Sequence, residues 1–185
     1  MKKLSPYFQS LLLAVLALLI VGCGKTATQE GLASVVFKSL KYNDFETYSK
    51  YIVTDKEAMS LLKTLEKSGQ YKAYSLKHKA HFQKIKKSLV ALLSKQRKNL
   101  EKNFYAVFDQ GARHGITWSQ AKFVEARIAR PEKVFDLDTL KQQNIYIIFK
   151  FKNKQYTLRI SNNIKVKRGW VIVDGLAWDP ELGNP

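Results

Sequence analysis

Residues 144–161 read NIYIIFKFKNKQYTLRIS, and the fold class turns on this stretch. Side chains on a β-strand alternate between its two faces. Over 144–152, Ile145, Ile147, Phe149 and Phe151 therefore share one face, while Tyr146, Ile148, Lys150 and Lys152 share the other. Over 155–161, Tyr156, Leu158 and Ile160 share a face. A two-residue loop at Asn153-Lys154 predicts an antiparallel hairpin pairing Phe151 with Tyr156, Phe149 with Leu158 and Ile147 with Ile160. The apolar faces then coincide, as a one-sided sheet requires. A slip of one residue would turn the apolar set to water, so the register is sharply specified.

Working outward, residues 122–129 and the run GWVIVD at 169–174 are further strand candidates. Upstream the period changes to that of a helix. Leu32, Ala33, Val36, Phe37 and Leu40 recur at spacings of three and four, one face of a helix from Gln29. Asn43 with Glu46 has capping-box spacing and predicts a short second helix that turns Phe45, Tyr48 and Ile52 inward. Thr54 with Glu57 repeats the signal before Ala58, Leu61, Leu62 and Leu65, with Gly69 as a stop. From about Ser75 a long helical stripe runs through Phe82, Ile85, Leu89, Leu92, Leu93, Leu100, Phe104 and Val107, ending near Gly111 or His114-Gly115. Helices over 29–114 followed by strands over 120–178 predict one α+β domain across 29–185. Its N-terminal helices pack on one face of a C-terminal antiparallel sheet.

Three stretches carry a family resemblance: LKYNDFETYSKYI at 40–52, GITWSQAKFVEAR at 115–127, and YTLRI with RGWVIVDGLAW near the end. In these the chain resembles small bacterial lipoproteins of the nuclear-transport-factor-two-like, cystatin-like group. That resemblance implies a cystatin-like α+β fold. The group includes small enzymes and many non-catalytic binding modules, so the fold leaves function open.

Composition narrows the classes. The chain has 185 residues, 32 Lys plus Arg against 15 Asp plus Glu, a net charge of +17 and one Cys. A single Cys makes no internal disulfide and no thiolate zinc site. The apolar share of 45% is that of a folding chain, not a disordered one. Charge this high points to an anionic partner or surface. It is also local: residues 54–103 hold thirteen basic and four acidic side chains. Lys84, Lys87, Lys95, Lys98 and Lys102 fall opposite the apolar stripe and form a candidate anionic-surface contact.

The first residues carry a different signal. Lys2 and Lys3 precede an unbroken apolar run of eleven residues, Leu11 to Val21. A spanning helix needs ~20 apolar residues, whereas eleven suits a signal-peptide core. The run closes on Ile20-Val21-Gly22-Cys23, which resembles the lipobox of bacterial lipoproteins. That resemblance implies cleavage between Gly22 and Cys23, with lipid on the Cys23 sulfur and an acyl group on the new amine. Residues 1–22 are then a cleaved leader, and 23–28 a lipidated N-terminus and polar spacer. Gly24 stands where enteric members place Asp for inner-membrane retention. The expected location is the cell envelope, with the outer membrane favoured in a Gram-negative cell.

Other candidate chemistry is sparse. His78 and His81 lie three apart, but neighbouring Lys77 and Lys79 repel a cation and no third ligand is close in sequence. Asp44, Asp109, Asp136, Asp138 and Asp174 match no catalytic pattern; Asp44 reads as a helix start and Asp174 as a strand-end turn. Trp118, Trp170 and Trp178 are candidates for a pocket or for the core. No catalytic set, metal site or cofactor is expected. The leading expectation is a lipid-anchored, non-catalytic module that binds a ligand or an envelope protein. A second is an electrostatic binder of anionic lipid or cell-wall polymer through the lysine face. A third is a small enzyme with a pocket. Nucleic acid fits poorly: residues 54–103 hold one Arg and few aromatics for base readout or stacking.

Overall fold

A computed structural model describes residues 25–67, 95–134 and 137–179. Helix α1 spans Gln29–Lys41, α2 Phe45–Ser49, α3 Asp55–Lys67, and α4 is followed over 95–113. A single 3-10 turn at Trp118–Gln120 leads into the strands. These are β1 Lys122–Ile128, β2 Glu132–Val134, β3 Leu137–Phe151, β4 Lys154–Val166, β5 Gly169–Val171 and β6 Gly175–Trp178. Gly69, and all of the long stripe before residue 95, lie outside the described residues.

Thr28 caps α1, accepting a hydrogen bond from the Gly31 amide at 3.0 Å. The spacing of three and four does bury Leu32, Ala33, Val36, Phe37 and Leu40. The start of α2 differs from the capping box expected at Asn43. Asn43 instead takes φ 52° and ends α1. Its amide donates to the Leu40 carbonyl and the Asp44 amide to the Ser39 carbonyl, the paired bonds of a Schellman stop. Asp44 then becomes the cap of α2, its carboxylate accepting from the Thr47 amide at 2.8 Å. The hydrogen bonds from Thr47 hold the Asp44 carboxyl below its ordinary pKa. Glu46, freed from capping, pairs with Lys50 at 3.1 Å on the surface. Tyr48 and Ile52 are buried as expected.

The second capping box forms in full. The Thr54 amide donates to Glu57 Oε2 at 2.9 Å, and the Glu57 amide donates to Thr54 Oγ1 at 3.2 Å. Arg168, more than a hundred residues away, adds its Nε to Glu57 Oε1 at 2.5 Å. Burial pushes the Glu57 carboxyl up, but hydrogen bonds from Arg168 and Thr54 outweigh it, and the group lies below its ordinary value. A carboxylate with a depressed folded pKa adds stability above its unfolded pKa and loses it as pH falls through the folded one. Glu57→Gln should therefore lower the urea midpoint at pH 7. The gap to wild type should close as pH drops below 4.5, the ordinary value. A gap that persists unchanged at pH 3 would refute this.

The sheet is antiparallel and curled, ordered β1-β3-β4-β5, with β2 also on β3 and β6 also on β4. The hairpin forms with its faces as read, but its loop is Lys152-Asn153, one residue earlier than expected. Phe149 therefore pairs with Tyr156, Ile147 with Leu158 and Ile145 with Ile160. Two residues of register are gained, and a shift of two keeps every side chain on its face. Lys152 supplies the positive φ, 54°, with its ammonium 5.3 Å from the Phe151 ring centroid. The shifted register stacks Phe149 on Tyr156 at 5.4 Å between ring centroids. The outer face is not wholly polar: Ile148 and Thr157, paired across the ladder, are also buried.

The strand expected over 169–174 is shorter, and a further strand, β6, follows beyond it. β5 pairs with β4 at Ile164–Val166, Ile172 bridges to Ile52, and the chain then bends into β6, which pairs with β4 at Leu158–Ser161. Gly175 takes φ 124° at the bend. The core lies between the inner faces of β3 and β4 and a lid of α1, Tyr48, α4 and Trp118. Phe104 on α4 meets Tyr48 at 5.0 Å between centroids. The Tyr48 hydroxyl has no partner among the described residues, and burial pushes its pKa well up.

Candidate functional site

The second half of α4 is fixed over one end of the sheet by two indoles. Trp118 Nε1 donates to the Phe108 carbonyl at 2.9 Å, and Trp178 Nε1 donates to the Val107 carbonyl at 3.1 Å. Gly111 lets the helix come down on Trp118: a Cβ there would lie 2.6 Å from Trp118 Cε2. Gly111 is thus a close-approach residue inside the helix. The stop is Gly115, at φ 74°, closed by bonds from the Gly115 amide to Ala112 and the Ile116 amide to Gly111.

Between this helix and the adjoining ends of β4 and β6 lies an open groove of about 990 Å³. Asn103, Ala106, Val107, Gln110 and His114 line it from the helix. Lys154, Gln155, Tyr156 and Thr157 line it from β4, and Leu176, Ala177, Trp178 and Asp179 from β6 and the residue after it. Tyr156 and Trp178 meet edge to face at 6.1 Å, and His114 lies 5.5 Å from Trp178, all between centroids. Asp179 is 9% exposed and lies 3.7 Å from Arg159. Its amide continues the ladder, donating to the Thr157 carbonyl at 3.1 Å. The groove thus offers aromatic walls, three side-chain amides, an imidazole, an ammonium and one paired carboxylate. Such a mix of aromatic surface and many hydrogen-bonding groups can bind a polar ligand.

The sequence-derived candidates are placed unevenly. Gly22, Cys23, His78, His81, Lys84, Lys87 and Asp136 lie outside the described residues. Lys95, Lys98 and Lys102 are exposed along one stripe of α4, opposite the buried Leu100, Phe104 and Val107. Asp109 is exposed on the same helix. Asp174 sits at the β5–β6 bend and accepts from Asn162 Nδ2 at 3.1 Å. Trp118 is a core residue, Trp170 and Trp178 are half-buried beside the core, and Trp178 alone of the three lines the groove. The groove's polar residues were missed. Their signal is faint: Asn103, Gln110 and His114 recur at helical spacing beside the apolar stripe of α4.

Among the described residues no group of three His, Cys, Asp or Glu could hold a metal ion, and no helix is long and apolar enough to cross a membrane. Fold and groove define an α+β protein with a curled antiparallel sheet under a few helices. No protein-family model, curated protein or solved structure matches the chain.

Proposed function

We propose that this chain is a lipid-anchored protein of the bacterial cell envelope whose domain binds a polar ligand in the α4–β4–β6 groove without transforming it. The lipobox-like Ile20-Val21-Gly22-Cys23 supports the anchor. The groove supports the binding role, and its lining is the observation that carries it. Aromatic faces at Trp178 and Tyr156 suit the C–H surface of a sugar ring, and the amides of Asn103, Gln110 and Gln155 suit its hydroxyls. A sugar segment of the cell-wall polymer is the ligand class we assign. Among the described residues Asp179 is the carboxylate that lines the groove, and it is paired with Arg159, which supports a non-catalytic reading. A cystatin-like packing is supported by α1 and α4 lying against the buried face of a curled antiparallel sheet.

Titration with an N-acetylglucosamine tetramer should change the intrinsic tryptophan emission saturably, because Trp178 lines the groove. Gln110→Ala with Asn103→Ala, both on the exposed flank of α4, should weaken the response roughly ten-fold while leaving the urea midpoint unchanged. An emission that does not respond, or a response the double variant leaves intact, overturns the sugar assignment.

A further inference from the structure

The chain just beyond Cys23 is clasped by the domain. Thr26 is 3% exposed, and its carbonyl accepts from the Trp170 amide at 2.8 Å. Gly31 and Gly169 make room for this segment: a Cβ at Gly31 would overlap the Lys25 carbonyl, and one at Gly169 the Thr26 carbonyl. Thr26 is three residues past Cys23, and three extended residues reach at most about 10 Å.

That short reach brings a basic face with it. Trp170 pairs with Lys165 in the β4–β5 ladder, so Thr26 and Lys165 flank it about two strand spacings apart, roughly 10 Å. Lys167 is in the turn between the two strands. Lys25, Lys165 and Lys167 are exposed, and no carboxylate among the described residues pairs with them. Arg168 is held differently, bound to Glu57 and to the carbonyls of Lys50 and Ile52. It stiffens the turn and leaves the three lysines as its outward charge.

We infer that Lys25, Lys165 and Lys167 form a docking face for the anionic headgroups of the leaflet that holds the Cys23 lipid. The inference rests on the anchored reading above. Three residues of tether hold Thr26 within about 10 Å of Cys23, and Lys165 lies roughly another 10 Å on. The three lysines thus come within one Debye length of the headgroups, ~8–10 Å, when the β4–β5 edge lies flat against the leaflet. From Lys165, β4 runs eleven residues to Lys154, a contour of roughly 36 Å that bends at Asn162, φ 53°. The groove opens at that far end and is turned from the bilayer toward the wall.

The test uses the full lipidated protein in vesicles of phosphatidylglycerol with phosphatidylcholine, against vesicles of phosphatidylcholine alone. An amine-reactive label is read lysine by lysine. Lys25, Lys165 and Lys167 should react roughly five-fold more slowly on the anionic vesicles, the factor that corresponds to ~1 kcal/mol per lysine at such a surface. About 0.5 M salt should abolish the protection, because the Debye length then shrinks below the gap. Lys154, beside the groove, should react equally on both. Lys165→Gln with Lys167→Gln should remove the protection of Lys25 while the acyl chains keep the protein on the vesicles. Equal labelling on both vesicle types overturns the inference, and so does protection of Lys95, Lys98 and Lys102 in place of the three. Failure of the anchor itself is read separately, as an intact mass without acyl chains and no retention on either vesicle.

Discussion

Cys23→Ser is expected to abolish acylation and to leave residues 1–22 attached. Intact mass measures both effects at once. The wild-type chain should begin at position 23 and carry acyl chains, while the variant should keep its full leader and none. The effect is large because burial of acyl chains contributes ~0.8 kcal/mol per methylene, and two or more chains make an anchor durable where one is marginal. The variant keeps only the eleven-residue apolar run of the leader, about half the length a spanning helix needs. Alkaline carbonate should therefore strip the variant from membranes and leave the wild type in the pellet. A wild-type mass that retains residues 1–22, or a variant that resists stripping, would overturn the lipoprotein reading.

On the anchored, sugar-binding reading proposed above, the anchor and the groove would serve one arrangement. A sugar polymer of the wall lies beyond the headgroups. A groove facing the bilayer across a three-residue tether would have little access to it. The clasp at Thr26 fixes which end of the sheet lies near Cys23, and the two indoles that seat α4 place the groove at the other end. Residues 25–28, a polar spacer by composition, act mechanically as part of the domain.

What could be read in the chain follows how local each signal is. Alternation over 144–161 placed the hairpin and its faces, because burial of one face punishes a one-residue slip. It did not place the loop, because a shift of two costs no face. Thr54-Glu57 formed the box its spacing implies, whereas Asn43-Glu46 did not, since Asn43 was needed at positive φ to close α1. That competition involves the preceding helix and is invisible in a four-residue pattern. The shortening of the 169–174 strand and the appearance of β6 after it depend on β4 offering two successive pairing segments along one edge. The groove is assembled from three stretches separated in sequence, 103–114 on α4, 154–157 on β4 and 176–179 on and after β6, and only its α4 flank has a periodicity to read. Arg168 on Glu57 spans 111 residues and has no local trace.

Gly169→Ala is expected to destabilise the domain by about 3 kcal/mol, well above Gly115→Ala, although both glycines have positive φ. Gly169 sits at φ +124°, where side chains are strained, and an added Cβ would lie 2.7 Å from Thr26 Oγ1 as well as overlapping its carbonyl. Backbone strain of that kind costs ~1–3 kcal/mol, and overpacking against a fixed backbone adds a similar ~1–3 kcal/mol. Gly115 sits at φ +74° with nothing within 4 Å of the added Cβ. Its cost is the left-handed penalty alone, ~1–2 kcal/mol. The comparison isolates the clasp, because the two variants share the change in side chain and differ in what it meets. Urea unfolding of both supplies the free energies. Brief trypsin treatment supplies the location: cleavage after Lys25 should quicken in Gly169→Ala and not in Gly115→Ala, because only the former displaces Thr26. Equal losses in the two variants, with Lys25 equally resistant, would mean that the backbone of Thr26 is not held by β5.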